Sequence, residues 1–167
     1  SKFYTSYISK LYLIGDFNEE NWFDFLVENT RMPFTEIAKQ MNVSAGTIHV
    51  RVKKMEDAGI IKGSSLILDY GKLDYHFIAF MGILLTKSDK SQEVLNELVS
   101  FPNVVEASLI SGKYSIFCKI QAKDTEDARR VINRIDDISG VLRTETMVSF
   151  KECFSDKNRL IKAVSVE

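Results

Sequence analysis

The sequence has little of what marks an enzyme, a disulfide-stapled domain or a membrane protein. Its 167 residues include only two cysteines and two histidines. Cys118 and Cys153 do not form a Cys-x-x-Cys pair, and no histidine lies near either at metal-ligand spacing. Both therefore read as reduced, mostly structural thiols, and no metal is assigned. The longest apolar run, Phe77 to Leu85, is far short of the roughly 20 residues a membrane helix needs. The opening residues lack the basic and long apolar regions of a secretory signal. A cytoplasmic protein with no membrane partner is the expectation. No phosphate loop, activated nucleophile or metal cluster stands out, so no catalytic residue and no cofactor is assigned. Asp136 and Asp137 are adjacent, and neighbours diverge on a helix, so they make a poor acid-base pair.

A surplus of positive charge is also missing overall, for the net charge is -1. Its distribution is uneven. Residues 1–30 carry two lysines against five acids, net -3, whereas residues 31–63 carry six basic against three acidic groups, net +3. The rest is near neutral. Attraction to a duplex is a property of local surface, so the middle segment has the sign that phosphate contact requires.

What is present is a 45% hydrophobic content with clear periodicity. Trp22, Phe25 and Leu26 share one face of a helix over 19–30, with Asn18 as its N-cap. Phe34, Ile37, Ala38 and Met41 follow the i, i+3, i+4, i+7 pattern behind Pro33. Asn42-Val43-Ser44 is a tight connection in which Ser44 can cap the next helix, and that helix runs to about Ala58 before Gly59. Three short helices with a short turn between the second and third make a helix-turn-helix pattern. On the third, Ile48, Val52 and Met55 form the inward stripe. Gly46, Val50, Lys53 and Asp57 lie opposite, flanked by Thr47, His49, Arg51 and Lys54. Val50 could meet a thymine methyl. His49 reads equally as a phosphate contact or a polar surface residue.

Residues 63–71 read as a linker strand ending in a turn. Beyond them the order is strand (75–86), helix (91–100), strand (104–111), strand (113–122), helix (125–135), strand (141–151), the split order of the ferredoxin-like fold. The predicted organisation is an α+β chain: a helix-turn-helix domain over 1–62, a linker strand over 63–74, a ferredoxin-like βαββαβ domain over 75–153 and a tail over 154–167. In the middle strands Tyr114, Ile116, Cys118 and Ile120 alternate with Ser115, Phe117, Lys119 and Gln121. The face carrying Phe117, with Phe80 or Leu109 beside it, exposes more apolar surface than a monomer comfortably bears, which predicts a subunit interface.

The run from Glu36 to Gly63 strongly resembles the leucine- and asparagine-responsive (Lrp/AsnC, or feast/famine) regulators. The match is carried by Glu36-Ile37-Ala38, Ser44, Thr47, Arg51, Met55-Glu56 and Gly59-Ile60-Ile61. Ser111-Gly112-Lys113-Tyr114-Ser115 looks like the family's small-Gly-x-Tyr turn, and Arg143-Thr144-Glu145-Thr146 like its R-T-x-T strand. The resemblance covers about residues 16–150 and is closest to the asparagine-type branch. It implies a transcription regulator that binds double-stranded DNA through Ser44, Thr47, His49, Arg51 and Lys54. It also implies homodimers formed through the C-terminal sheets, assembly into octamers, and an amino-acid effector between dimers. Gly112, Lys113, Tyr114, Ser115, Thr144 and Thr146 would border that effector site. Two departures stand out. Asp16-Phe17-Asn18-Glu19 and Trp22-Phe23 make the first helix bulkier than the family's. Ser115 stands where many members carry an Asp suited to an α-amino group, and a neutral serine holds an ammonium less strongly. The effector's identity stays open.

The alternatives are an amino-acid-binding regulatory subunit without DNA binding, since the same α+β fold serves enzyme regulation, and an RNA-binding module. Gly112 to Phe117 only faintly matches the aromatic strand of an RNA-recognition motif, and no basic stretch adjoins it.

Overall fold

The computed structural model describes residues 22–164, so the predicted cap Asn18 and the start of the first helix lie outside the described residues. The chain divides at Leu66 and again at Phe154, with Ile67–Phe154 as one compact unit and the flanking segments as the other.

In the flanking unit, α1 spans Trp22–Glu28, α2 Phe34–Gln40 and α3 Ala45–Asp57. Their apolar stripes converge on a small core of Trp22, Ile37, Ala38, Ile48 and Met55, with Phe25, Leu26, Phe34 and Val52 packed around it. Periodicity explains the helices, because each is too short to stand without burying its face. Gly59 ends α3 at φ +70°. The segment expected to be a tail carries a short helix, α6 at Arg159–Val164.

The linker differs from expectation. Residues 62–69 belong to no strand, and Leu66 and Ile67 are exposed. A strand needs a ladder partner, and the described residues supply none to this segment. It ends instead in a 3₁₀ turn over Tyr70–Leu73, where the Asp69 side chain accepts from the Lys72 amide.

The central unit follows the predicted order: β1 (Phe77–Leu85), α4 (Ser91–Leu98), β2 (Val104–Leu109), β3 (Ile116–Ala122), α5 (Thr125–Asp136) and β4 (Val141–Val148). The antiparallel sheet has the order β2-β3-β1-β4. Each helix therefore connects strands that are not neighbours, the ferredoxin-like arrangement. Met81 and Ile83 of β1 and Ile116, Cys118 and Ile120 of β3 meet Val94 and Leu98 of α4 and Val131 and Ile135 of α5. Asp124 caps α5 by accepting from the Asp127 amide at 2.8 Å, and the Asp127 carboxylate accepts in return from the Lys123 amide at 3.1 Å.

Register decides what the helix-free face carries. Phe80 pairs with Lys119 and Met147, and Gly82 with Phe117 and Glu145, so these residues share that face. Phe80 and Phe117 stack with ring centroids 6.0 Å apart. Leu109, expected beside Phe117, pairs with Ile116 and lies on the helix side near the sheet edge. One residue of register reverses a side chain's face, and the sequence alone does not set that register.

Candidate nucleic-acid interface and effector cluster

The turn between α2 and α3 is built from local chemistry. Asn42 takes a left-handed conformation at φ +52°, which asparagine tolerates better than most residues, and the Val43 amide donates to the Ala38 carbonyl at 2.9 Å. Ser44 then caps α3, its Oγ accepting from the Thr47 amide at 3.1 Å and lying 2.9 Å from the Thr47 hydroxyl. The hydroxyls of Ser44 and Thr47, two of the five predicted DNA contacts, are thus engaged in starting the helix.

Of the other three, His49 and Lys54 are exposed, and the His49 ring sits edge-on to Phe34 with centroids 4.5 Å apart. Arg51 is placed differently from the reading of it as an outward cation, being only 8% exposed. At about 100° per residue it lies about 60° from Ile48. That puts it in the arc that also holds Met55 and Val52, rather than on the outer side. Outward from α3 stand Gly46, His49, Val50, Lys53 and Lys54, with Lys53 bonded to Asp57 at 3.2 Å. Val50 and Lys53 were absent from the five, although the same helical wheel places them opposite the core.

Within one chain, the six residues expected around an effector do not share one face of the sheet. Gly112, at φ +112°, makes the turn before β3, a conformation that side chains disfavour. Tyr114 was expected to alternate onto the core face with Ile116. Instead it precedes the strand and lies on the helix-free side. The alternation breaks at Ser115, whose amide donates to the Ile83 carbonyl at 2.9 Å. The Tyr114 ring covers Gly82 so closely that a Cβ there would come within 2.5 Å of it. Its hydroxyl donates to Glu145 Oε2 at 2.5 Å, while Lys113 Nζ donates to the same oxygen at 2.8 Å and Arg143 to Oε1 at 2.8 Å. The Lys113 ammonium and the Tyr114 hydroxyl hold the Glu145 carboxyl below the usual carboxylate range. The same carboxylate raises Lys113.

Thr144 and Thr146 pair with Ile83 and Met81, so they face the helix side, and the Thr144 hydroxyl donates to Asp136 on α5 at 2.6 Å. Strand alternation therefore separates the threonines from the Lys113–Tyr114 cluster. Glu145 and Gly82 are the residues the sequence reading missed. Glu145 was in view as the variable position of the R-T-x-T strand. Gly82 was hidden inside an apolar run.

Comparison with known proteins bears on both halves. Residues 24–62 match the family model for winged helix-turn-helix DNA binding, and residues 78–158 match that for the Lrp/AsnC ligand binding domain. The chain is 41% identical over 127 residues to the regulatory protein AsnC of Haemophilus influenzae, covering 75% of this chain and 85% of that one. It is 40% identical over 124 residues to AsnC of Escherichia coli, covering 74% and 82%. The solved structure of E. coli AsnC superposes with a TM-score of 0.77 at 35% identity, over 81% of this chain and 92% of that one. A Neisseria meningitidis transcriptional regulator solved with L-methionine has the same fold, with a TM-score of 0.74 at 19% identity over 81% and 90% of the two chains. With both family models matched and AsnC relatives about 40% identical over three quarters of its length, this chain belongs to the Lrp/AsnC family of DNA-binding transcription regulators, which are not enzymes.

Proposed function

We propose that this regulator works as a dimer or higher assembly of dimers that sets two α3 helices into major grooves about one duplex turn apart, and that an amino acid bound between dimers changes assembly or spacing. The observation that carries the DNA half is α3 itself. Ile48 and Met55 lock one side into the core, and the other side offers His49, Val50, Lys53 and Lys54. In this reading Lys54 and Lys53 meet phosphates and His49 lies at the groove edge. Ser44 and Thr47 position the helix, and Arg51 supports it from the buried side.

The assembly half rests on the helix-free sheet face. Phe80 and Met147 are partly exposed there beside the Phe80–Phe117 stack, a large apolar surface for one chain to leave in water. A second copy of the same face would cover it, and dimers would associate further to octamers. The effector class is drawn from the relatives named AsnC and from the methionine complex of the Neisseria regulator. Gly112, Lys113, Tyr114, Ser115, Thr144 and Thr146 are its candidate neighbours. The protein acts where the DNA is, in the cytoplasm.

A gel-shift titration on the gene's own upstream DNA, repeated with each of the twenty amino acids, tests both halves. Specific retardation at moderate salt is expected, with at least one amino acid changing affinity or stoichiometry. Lys54→Ala should flatten the salt dependence by about one unit of logarithmic slope. No specific retardation would reject the DNA half, and no response to any amino acid would reject the sensing half. Phe117→Glu should lower the sedimenting mass, and an unchanged mass would reject assembly through this face.

A further inference from the structure

Two residues on the outer side of α3 are not called for by packing among the described residues. Gly46 lies in the first turn, outside the set of left-handed glycines, and among the described residues a methyl added to it would meet only Ser44 Oγ at an ordinary 3.7 Å. Neither backbone nor packing requires glycine there, and glycine is among the poorest helix formers. Val50, one turn further on, is 56% exposed and β-branched, so it loses side-chain freedom in the helix while burying little. Alanine, lysine or glutamate would suit a merely solvated face better. Local choices that work against the fold tend to cluster where something else must fit.

Together the pair makes an apolar point with a hollow one turn before it, on the face that also carries His49, Lys53 and Lys54. Cations around an apolar spot fit a duplex, whose phosphates flank the base edges. On those edges the major groove presents one apolar group, the thymine 5-methyl. The outer face of α3 holds no arginine, asparagine or glutamine for bidentate contact with guanine or adenine, since Arg51 is buried, and Lys53 is bonded to Asp57.

We propose that Val50, with the space left by Gly46, seats a thymine methyl, so that each half-site is read at that position by apolar contact and not by hydrogen bonding. This rests on α3 being the recognition helix. The test uses the full chain and its own upstream DNA, with each thymine of the protected half-site replaced in turn by deoxyuridine. That exchange deletes the methyl and keeps the pairing. One thymine should weaken binding about four-fold on exchange, the weight of one buried methyl group, and its symmetry mate in the other half-site by the same factor again. Val50→Ala should bind thymine and uracil duplexes alike with unchanged thermal melting, and Val50→Ile should still discriminate. Gly46→Ala, which the fold admits, should weaken binding of the thymine duplex. The assignment falls if the wild type binds every uracil duplex as tightly as the parent, or if Val50→Ala still discriminates. Failure to retard the parent duplex at all would instead overturn the reading of α3 as a recognition helix.

Discussion

The two compact units are held in different ways. Among the described residues, the helical unit buries five apolar side chains, Trp22, Ile37, Ala38, Ile48 and Met55, beside Arg51, and relies on a side-chain cap and a tight turn. The central unit buries fourteen apolar residues, eleven of them in one cluster between a sheet face and two helices, and it leaves apolar groups on the other sheet face partly exposed. A small core makes each residue of the helical unit more consequential. A large one leaves the sheet unit's second face free for the proposed partner. The proposed reading helix thus sits on the less redundant scaffold, and the proposed assembly surface on the more redundant one.

The strongest way to test that contrast is matched core truncation. Ile48→Ala and Ile83→Ala each empty a fully buried site and should each cost about 2–5 kcal/mol. Each unit carries its own probe. Trp22, the single tryptophan, lies in the helical core. Cys118 lies in the sheet core, where burial pushes its thiol up to about 11, so it should resist a thiol reagent at neutral pH until that unit opens, while exposed Cys153 reacts at once. Ile48→Ala should lower the tryptophan transition, and Ile83→Ala should expose Cys118. If both variants moved both probes equally, the units would be one cooperative body.

Next in size is Gly82→Ala. Its methyl would come within 2.5 Å of the Tyr114 ring, so Tyr114 must leave Glu145, at about 1–3 kcal/mol. The loss should appear in tyrosine fluorescence and melting temperature, with the tryptophan transition unmoved. Smaller still are the caps. Ser44→Ala and Asp124→Ala remove the same kind of bond from α3 and α5 and should each cost about 1 kcal/mol. Because the helical unit is the less redundant one, only the first should also weaken DNA binding.

The smallest effect concerns pH. The folded Glu145 carboxyl is held low, first by Lys113 and then by Tyr114. Its contribution is therefore complete above the ordinary glutamate value of about 4.3 and is lost as pH falls through the lower folded value. The melting temperatures of wild type and Glu145→Gln should differ most above that window and converge below it. A constant difference would remove the ion pair from the account.

The parts legible in the sequence are those governed by local rules. Ser44 caps a helix because its hydroxyl is one residue from the helix start, and Ile48 and Met55 are buried because they are two turns of one stripe. The element order of the sheet unit was likewise written in periodicity. What stayed hidden depends on angles of tens of degrees or on contacts between distant segments. Charge and the helical wheel put Arg51 at the flank of the outer side, whereas packing assigns it to the core side. Tyr114 left the expected face because the Ser115 amide bonds across to β1, an irregularity that no alternation of side chains foretells. Gly82 and Glu145 meet Tyr114 only through register, set by two pairings of β1. The linker reads as a strand by composition, but a strand exists only with a partner edge.

The central claim is that the outer side of α3 reads DNA, and the direct measurement is the affinity of Val50→Glu for the upstream DNA. The exposed site accepts the glutamate without disturbing the core, and the new negative charge would face phosphates. The account predicts an unchanged melting profile with specific binding at least about ten-fold weaker. Wild-type affinity in a folded Val50→Glu protein would contradict it.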